Sequence, residues 1–197
     1  MRQAVLQGGI DRLQEAFAGA DLSGPARAAL DKVFDRLKTD GPAGQAKAEA
    51  EALPVTDLLQ KALAPLLARR DALAPLAQAL ADLAPHLVWT TRKTVGPTAS
   101  PGFDGAHANG MLIGPGGLEE RADVWLGLSL MAPGTRYPDH DHAPEEVYLV
   151  LSEGEFLQGE ADWLARTAGQ TVYNTPGIRH AMRAADRPFL ALWCLPV

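Results

Sequence analysis

The chain has 197 residues, a length that suits one ordinary domain or a small domain with an extension. Eighteen Lys and Arg against 24 Asp and Glu give a formal net charge of −6, and no basic run could follow a phosphate backbone, which argues against nucleic acid as a partner. No apolar stretch approaches the roughly 20 residues that cross a bilayer, so a membrane-spanning chain is excluded.

The first 87 residues have the composition of helices. They are rich in Ala and Leu and poor in aromatic and β-branched residues. Apolar residues at a spacing of three and four predict amphipathic helices around residues 10–17 and 30–37. Ser23 followed by Pro25 predicts a helix start.

Two more helical stretches are predicted, from about residue 54 and from about residue 71. Pro65 and Pro75 are expected to kink or split them, because proline removes a backbone donor. We interpret segment 53–85 as a helical cap on a neighbouring sheet, with a dimerisation element as the alternative.

From about residue 88 the composition changes to short apolar runs between Gly- and Pro-containing turns. This pattern is typical of an antiparallel all-β barrel or sandwich, so we expect a helical extension at 1–87 and a β-barrel at 88–197. The predicted strands are 124–131, 146–151, 154–157, 163–166, 170–174 and 189–195. Segment 96–117 is rich in Gly and Pro and is predicted to be a long loop, either a lid or poorly ordered.

Metal-type side chains cluster in the β part. His140 and His142 are two residues apart and so face one side of an extended backbone; Glu146 and Tyr148 repeat that spacing, and His180 follows a later Pro-Gly turn. The apolar residues of the same segment then face the other side: Val147, Leu149 and Leu151. A lone histidine means little, but several polar side chains inside a barrel are costly unless a divalent metal satisfies them. These ligand types suit Zn, Fe, Mn, Co or Ni.

The remaining single features carry less information. His86 and His107 have no companions at ligand spacing and are expected to be surface or capping residues. Cys194 is the only cysteine, so it cannot form an internal disulfide, and in its apolar segment we expect a buried, inert thiol. The first ten residues lack the basic start and apolar run of a secretory signal, so we expect a cytoplasmic protein.

The ligand segment resembles the first motif of the cupins, G-x5-H-x-H-x3-E-x6-G. Gly134 opens it, and His140, His142 and Glu146 follow at the spacing of the motif, while the last glycine, Gly154, stands one residue late. The resemblance implies a cupin jelly-roll barrel.

The second cupin motif, G-x5-P-x-G-x2-H-x3-N, is matched less completely. Gly169, Gly177 and His180 are present, whereas the proline is displaced to Pro176 and the final asparagine is replaced by Ala184. The histidine ligand of the motif is retained.

Two tyrosines narrow the resemblance. With Tyr137 before the histidines and Tyr148 after the glutamate, the segment is similar to the bacterial, cupin-type dimethylsulfoniopropionate (DMSP) lyases of the DddQ-like kind. Carried over to this sequence, the resemblance implies four metal ligands: His142, Glu146, Tyr148 and His180. His140 becomes a ligand or a neighbour of the ligands, and Tyr137 joins Tyr148 as a candidate catalytic base.

The implied activity is that of a carbon–sulfur lyase with one divalent metal ion, which eliminates dimethyl sulfide from DMSP and leaves acrylate. A nearby cation favours the phenolate form of tyrosine, which explains tyrosines beside a metal. The sulfonium of the substrate has no hydrogen-bond donor and suits an aromatic face. Aromatic residues on β-type segments are therefore expected as core or as such a receptor: Trp125, Trp163, Tyr173, Phe189 and Trp193.

Two alternatives remain open. One is another metal-dependent cupin enzyme, such as an Fe(II) dioxygenase or an isomerase. The other is a regulatory, metal-binding cupin without catalysis, whose helical half binds a protein such as a sigma factor. For the lyase we expect a small-molecule substrate, no nucleic acid or membrane partner, and a monomer or a homodimer.

Overall fold

The helices come first in the chain. A computed structural model describes residues 2–44, 53–93 and 95–197, so Met1 and residues 45–52 of the predicted extension, and Thr94 of the predicted barrel, lie outside the described residues. The helices are α1 (Ala4–Ala18), α2 (Gly24–Arg36), α3 (Leu59–Leu67) and α4 (Leu73–Leu83), with short 3-10 helices at Pro54–Leu58 and Ala84–His86.

The strands follow the helices. They are β1 (Trp89–Thr90), β2 (His107–Ile113), β3 (Val124–Met131), β4 (Arg136–His140), β5 (Glu146–Val150), β6 (Gly154–Gln158), β7 (Leu164–Arg166), β8 (Thr171–Asn174), β9 (His180–Ala184) and β10 (Phe189–Pro196). One short helix, α5 (Phe103–Ala106), precedes β2.

Local signals explain how the helices begin and continue. Ser23 caps α2 as predicted, because its Oγ accepts a hydrogen bond of 3.3 Å from the backbone N–H of Ala26, and Pro25 lies in the first turn. Pro65 and Pro75 are expected to kink or split their helices, but neither helix is split. Pro75 lies in the first turn of α4, where backbone N–H groups have no partner within the helix. Pro65 lies in the last turn of α3, which ends soon afterwards.

Two antiparallel sheets face each other and form the barrel. Their strand orders are β1-β2-β3-β10-β5-β8 and β4-β9-β6-β7. Side chains from both sheets fill the space between them: Met131, Val150, Phe156, Met182, Phe189 and Ala191. The predicted cupin-type barrel with helices at its N-terminal side is therefore confirmed.

The helices cover the outer face of the six-stranded sheet. Helices α2 and α3 contact β10, and α4 packs against α1 and α3. The residues of the β5 segment predicted to face away from the ligands are buried in this layer: Val147, Leu149 and Leu151. Segment 53–85 thus covers the sheet, as the cap interpretation predicts. Within the described ranges, no helix is both long enough and apolar enough to span a bilayer.

The prediction of one long loop at 96–117 is wrong. This segment contains α5 and the whole of β2, which pairs with β3. Apolar alternation does not predict strand β2, because His107 and Asn109, which lie on one face of the strand, are polar.

His107 is fully buried, so the expectation of a surface residue is wrong, whereas the alternative of a capping residue is confirmed, because His107 is the C-cap of α5. Its ring stacks on Phe103 with centroids 3.6 Å apart. Nδ1 donates to the carbonyl oxygen of Phe103 at 2.6 Å, and Nε2 accepts from the backbone N–H of Arg92 at 2.7 Å. Both nitrogens of a neutral imidazole are thus satisfied, and burial lowers the pKa of His107. As predicted, His86 is exposed and Cys194 is buried.

Candidate metal centre

Three strands and one connection carry the predicted ligands. His140 ends β4 and His180 begins β9, and the two residues are direct cross-strand partners with ring centroids 4.1 Å apart. His142 does not continue the strand; it lies in the connection 141–145, and Glu146 then opens β5. Strand register and loop together bring these side chains to one place.

Three of the predicted ligands form a compact set: His142, Glu146 and His180. One ligand atom from each lies within 4.8 Å of the other two. Nε2 of His142 and Nε2 of His180 are each 3.4 Å from Oε2 of Glu146. In the part of the chain that the structure describes, no other three His, Cys, Asp or Glu side chains meet in this way.

The three histidines of the site are all held in the same tautomer. Each donates through Nδ1 to a backbone carbonyl oxygen 2.9 Å away: His140 to Pro138, His142 to Pro144 and His180 to Ile178. A carbonyl oxygen only accepts, so Nδ1 carries the proton and Nε2 keeps the lone pair that binds a metal. Nε2 of His180 is buried and has no hydrogen-bond partner. A divalent cation would satisfy it, so the donor set fits a metal site.

The carboxylate of Glu146 is oriented from the neighbouring strand. Asn174 lies opposite Glu146 in the β5–β8 register, and its Nδ2 donates to Oε2 of Glu146 at 2.9 Å. Gln158 in turn donates to Oδ1 of Asn174 at 2.6 Å, which fixes the orientation of the amide. Such outer partners set the direction and basicity of a metal ligand.

The charges of the set suit a cation. Burial opposes ionisation of Glu146, but when the imidazoles of His142 and His180 are protonated, their hydrogen bonds and charge outweigh it and lower the pKa of Glu146 from 4.5 to about 2. Burial likewise opposes protonation of His142, yet the Glu146 carboxylate raises its pKa. The pKa of His140 falls from 6.5 to about 4, chiefly through burial and then through His180. A negative carboxylate among imidazoles is the electrostatic arrangement that a divalent ion requires.

The two predicted catalytic tyrosines border the set. Tyr148 follows Glu146 by two residues on β5 and is 2% exposed. Burial, followed by the charge of Glu146, raises the pKa of Tyr148 well above its ordinary value of 10.0. Tyr137 on β4 is 5% exposed; its ring centroid is 5.0 Å from that of His140, and its Oη accepts a hydrogen bond of 3.2 Å from Asn109. The structure thus places all six predicted site residues in one region.

The aromatic residues divide between the two sides of the sheets. Phe189 and Trp193 belong with Tyr148 to the cluster inside the barrel. Trp163 instead packs under the guanidinium groups of two arginines, and Tyr173 donates to Glu145 at 2.7 Å. Phe189 and Trp193 therefore lie on the same side of the six-stranded sheet as Tyr148.

Three amide side chains of the site are not predicted from the sequence: Asn109, Gln158 and Asn174. Asn174 lies two residues after Val172 in a predicted strand, so both side chains face the same side. A polar residue at a position that an apolar pattern assigns to the interior is a signal for a site residue. The partners of Asn109 and Gln158 depend on cross-strand register, which spacing along the chain does not supply.

Comparisons with known proteins identify the family of the chain. Residues 25–191 match the family model described as dimethylsulfoniopropionate lyase. The chain is 38% identical over 82 residues to dimethylsulfoniopropionate lyase DddQ of Ruegeria pomeroyi, an alignment covering 41% of each protein. It is 30% identical over 136 residues, 69% of this chain and 56% of the relative, to a protein of Cereibacter sphaeroides provisionally named dimethylsulfoniopropionate lyase DddL. The chain thus spans about half the length of the curated relatives it matches.

Solved structures give the same result at the level of the fold. One comes from the crystal structures of the DMSP lyases RdDddP and RnDddQII; it has 26% identity and a TM-score of 0.70, covering 98% of this chain and 93% of that one. DMSP lyase DddQ from Ruegeria pomeroyi DSS-3 has 22% identity and a TM-score of 0.65, covering 98% and 91%. Because the family model spans most of the chain, including every residue of the candidate site, the chain belongs to the dimethylsulfoniopropionate lyase family.

Proposed function

We propose that this protein is a metal-dependent lyase that cleaves dimethylsulfoniopropionate to dimethyl sulfide and acrylate. The observation that carries the proposal is the set of His142, Glu146 and His180, whose ligand atoms lie within 4.8 Å of one another, with Tyr137 and Tyr148 beside it. Membership of the DMSP lyase family supports the substrate.

The metal would be a single Zn, Fe, Mn, Co or Ni ion held by His142, Glu146 and His180, with Tyr148 as a further ligand. When bound, it supplies Lewis-acid polarisation of the substrate carboxylate, which stabilises negative charge on the adjacent carbon. His140 stays neutral at neutral pH, because its pKa is about 4, and so adds no positive charge that would repel the ion.

A tyrosine then acts as the base. Its phenolate takes the proton from the carbon next to the carboxylate, and the released electron pair forms the carbon–carbon double bond as the carbon–sulfur bond breaks. Dimethyl sulfide leaves with the bonding pair as a neutral molecule, acrylate remains, and the proton stays on the tyrosine. Two contacts favour Tyr137 for this role: the hydrogen bond from Asn109 to its oxygen, and the guanidinium carbon of Arg92 lying 5.7 Å from its ring centroid.

The substrate is a small molecule with one charge at each end. Its sulfonium cannot donate a hydrogen bond, so it would be bound by an aromatic face, for which Trp193 and Phe189 are the inward candidates. We further propose a cytoplasmic enzyme that acts as a monomer or a homodimer.

Headspace gas analysis tests the proposal. Metal-loaded wild-type protein incubated with DMSP should release dimethyl sulfide and form equimolar acrylate. His180→Ala should lose this activity, while His86→Ala, a matched change at an exposed histidine, should keep it. No gas above the His180→Ala background would refute the lyase. Oxygen uptake with candidate substrates would then favour the dioxygenase, and capture of a specific protein partner the regulatory cupin.

A further inference from the structure

Three polar side chains form a continuous chain of hydrogen bonds that ends at Tyr137. Nε1 of Trp193 donates to Oγ of Ser129 at 3.1 Å, and Oγ of Ser129 donates to Oδ1 of Asn109 at 2.7 Å. Nδ2 of Asn109 then donates to Oη of Tyr137 at 3.2 Å. The chain runs from β10 through β3 and β2 to β4, so it links the two sheets of the barrel.

The direction of this chain is determined by its first member. An indole N–H can only donate, so Ser129 must accept from Trp193. Ser129 is 4% exposed, and its hydroxyl proton is donated to Oδ1 of Asn109, so this oxygen must face Ser129. A flipped Asn109 amide would leave that buried proton without an acceptor, which is costly. Asn109 therefore presents an N–H, never an oxygen, to Tyr137.

Strand register and close packing hold the chain in place. Asn109 and Ser129 are direct cross-strand partners in the β2–β3 pair, and Trp193 is the partner of Gly127 in the β3–β10 pair. A Cβ at Gly127 would collide with the indole of Trp193, so the ring lies directly against the bare backbone of β3. The donor at the start of the chain thus has little freedom to move.

We infer that Asn109 is a positioning residue for Tyr137, held in its orientation by Ser129 and Trp193. This inference rests on the proposed function, in which Tyr137 is the base. The hydrogen bond from the Asn109 N–H fixes the position of the Tyr137 oxygen and uses one of its lone pairs. The remaining lone pairs of the phenolate are free to take the substrate proton. A phenolate accepts such a hydrogen bond more strongly than a neutral phenol does.

Kinetics with matched variants test the inference. Asn109→Asp keeps the size and shape of the side chain but replaces the N–H donor with an acceptor. We expect kcat to fall by about 10-fold to 100-fold, because misdirection of a catalytic group costs rates of this order, while KM changes less than about threefold. Ser129→Ala keeps the Asn109 N–H and removes only the group that orients it, so kcat should fall less in this variant than in Asn109→Asp. Should Asn109→Asp not fold, Asn109→Ala replaces it with the same expectation.

A spectroscopic readout separates this inference from the proposed function. The side-chain amide signals of Asn109 in ¹⁵N-labelled full-length protein are assigned by their absence in Asn109→Asp. Tyr137→Phe removes the acceptor without removing the ring and should shift these signals, whether or not the protein cleaves DMSP. Unchanged amide signals in Tyr137→Phe, or wild-type kcat in Asn109→Asp, would overturn the inference. Absence of cleavage by the wild type would instead refute the proposed function.

Discussion

Replacing Asn174 with Ala should weaken metal binding without disturbing the fold. Asn174 is 1% exposed; its side chain donates to Oε2 of Glu146 at 2.9 Å and accepts from Gln158 at 2.6 Å. The shorter side chain leaves all three members of the set in place. It removes the amide that donates to the carboxylate of Glu146.

Two independent magnitudes give the same expected loss. A hydrogen bond to a charged acceptor contributes about 1.5–3 kcal/mol. Since about 1.4 kcal/mol corresponds to a tenfold change in an equilibrium constant, metal affinity should fall by about 10-fold to 100-fold. Removing an outer partner of a metal ligand typically has an effect of this size.

Chelator competition with Zn²⁺ at fixed pH measures the change directly. The matched control is Tyr173→Phe, on the same strand, which removes a hydrogen bond of 2.7 Å to Glu145 instead of Glu146 and should leave the affinity unchanged. Thermal unfolding of both variants checks that strand β8 is intact. Zinc affinity of folded Asn174→Ala within about twofold of wild type would refute the reasoning. An equal loss in Tyr173→Phe would attribute the effect to the strand rather than to Glu146.

Three further outcomes are expected. Tyr137→Phe should keep its metal content and lose about 100-fold or more in kcat for dimethyl sulfide release; retained activity would assign the base to Tyr148. Cys194 should resist a thiol reagent in the native protein and react fully in denaturant, because burial raises the pKa of its thiol well above 9.0. Arg2→Ala should lower the free energy of unfolding by about 1.5–3 kcal/mol in urea titrations, because the buried Glu119 carboxylate loses hydrogen bonds of 2.6 and 2.9 Å and keeps the Arg121 guanidinium at 3.5 Å. Although burial opposes it, the ion pair lowers the pKa of Glu119 in the folded protein, so this contribution should be complete at neutral pH and disappear as the pH falls below 4.5.

The sequence predicts well those parts of the fold that apolar spacing encodes. Strands β3, β5 and β10 are predictable because apolar residues predominate in them, and the helices because their apolar residues repeat at a spacing of three and four. Strands β2, β4 and β9 were missed for the opposite reason: they carry the polar residues of the site, such as His140 and His180, where an ordinary strand would carry apolar ones.

Some residues of the site can be identified from the sequence, and others only from the folded structure. The ligands His142, Glu146 and His180 are recognisable because the chemistry of a metal demands those residue types at set spacings. The contacts of the Asn109 and Asn174 amides cannot be predicted from the sequence, since each acts on a strand distant in the chain; spacing marks Asn174 only as an inward polar residue. Asn174 pairs with Glu146 across 28 positions, and only the register of the folded sheet brings them together.

Strand β10 has one face against the helices and the other inside the barrel. Leu190, Leu192 and Cys194 belong to the helical layer, whereas Phe189 and Ala191 line the interior with Trp193 packed against them. A slip of one residue would exchange the two faces and bury leucine where the indole stands. The helices accept only the leucine face, so their packing selects the register in which the site can assemble. Substitutions in the helical core, far from any metal ligand, should therefore lower the activity, because they weaken the preference of β10 for the register in which the site assembles.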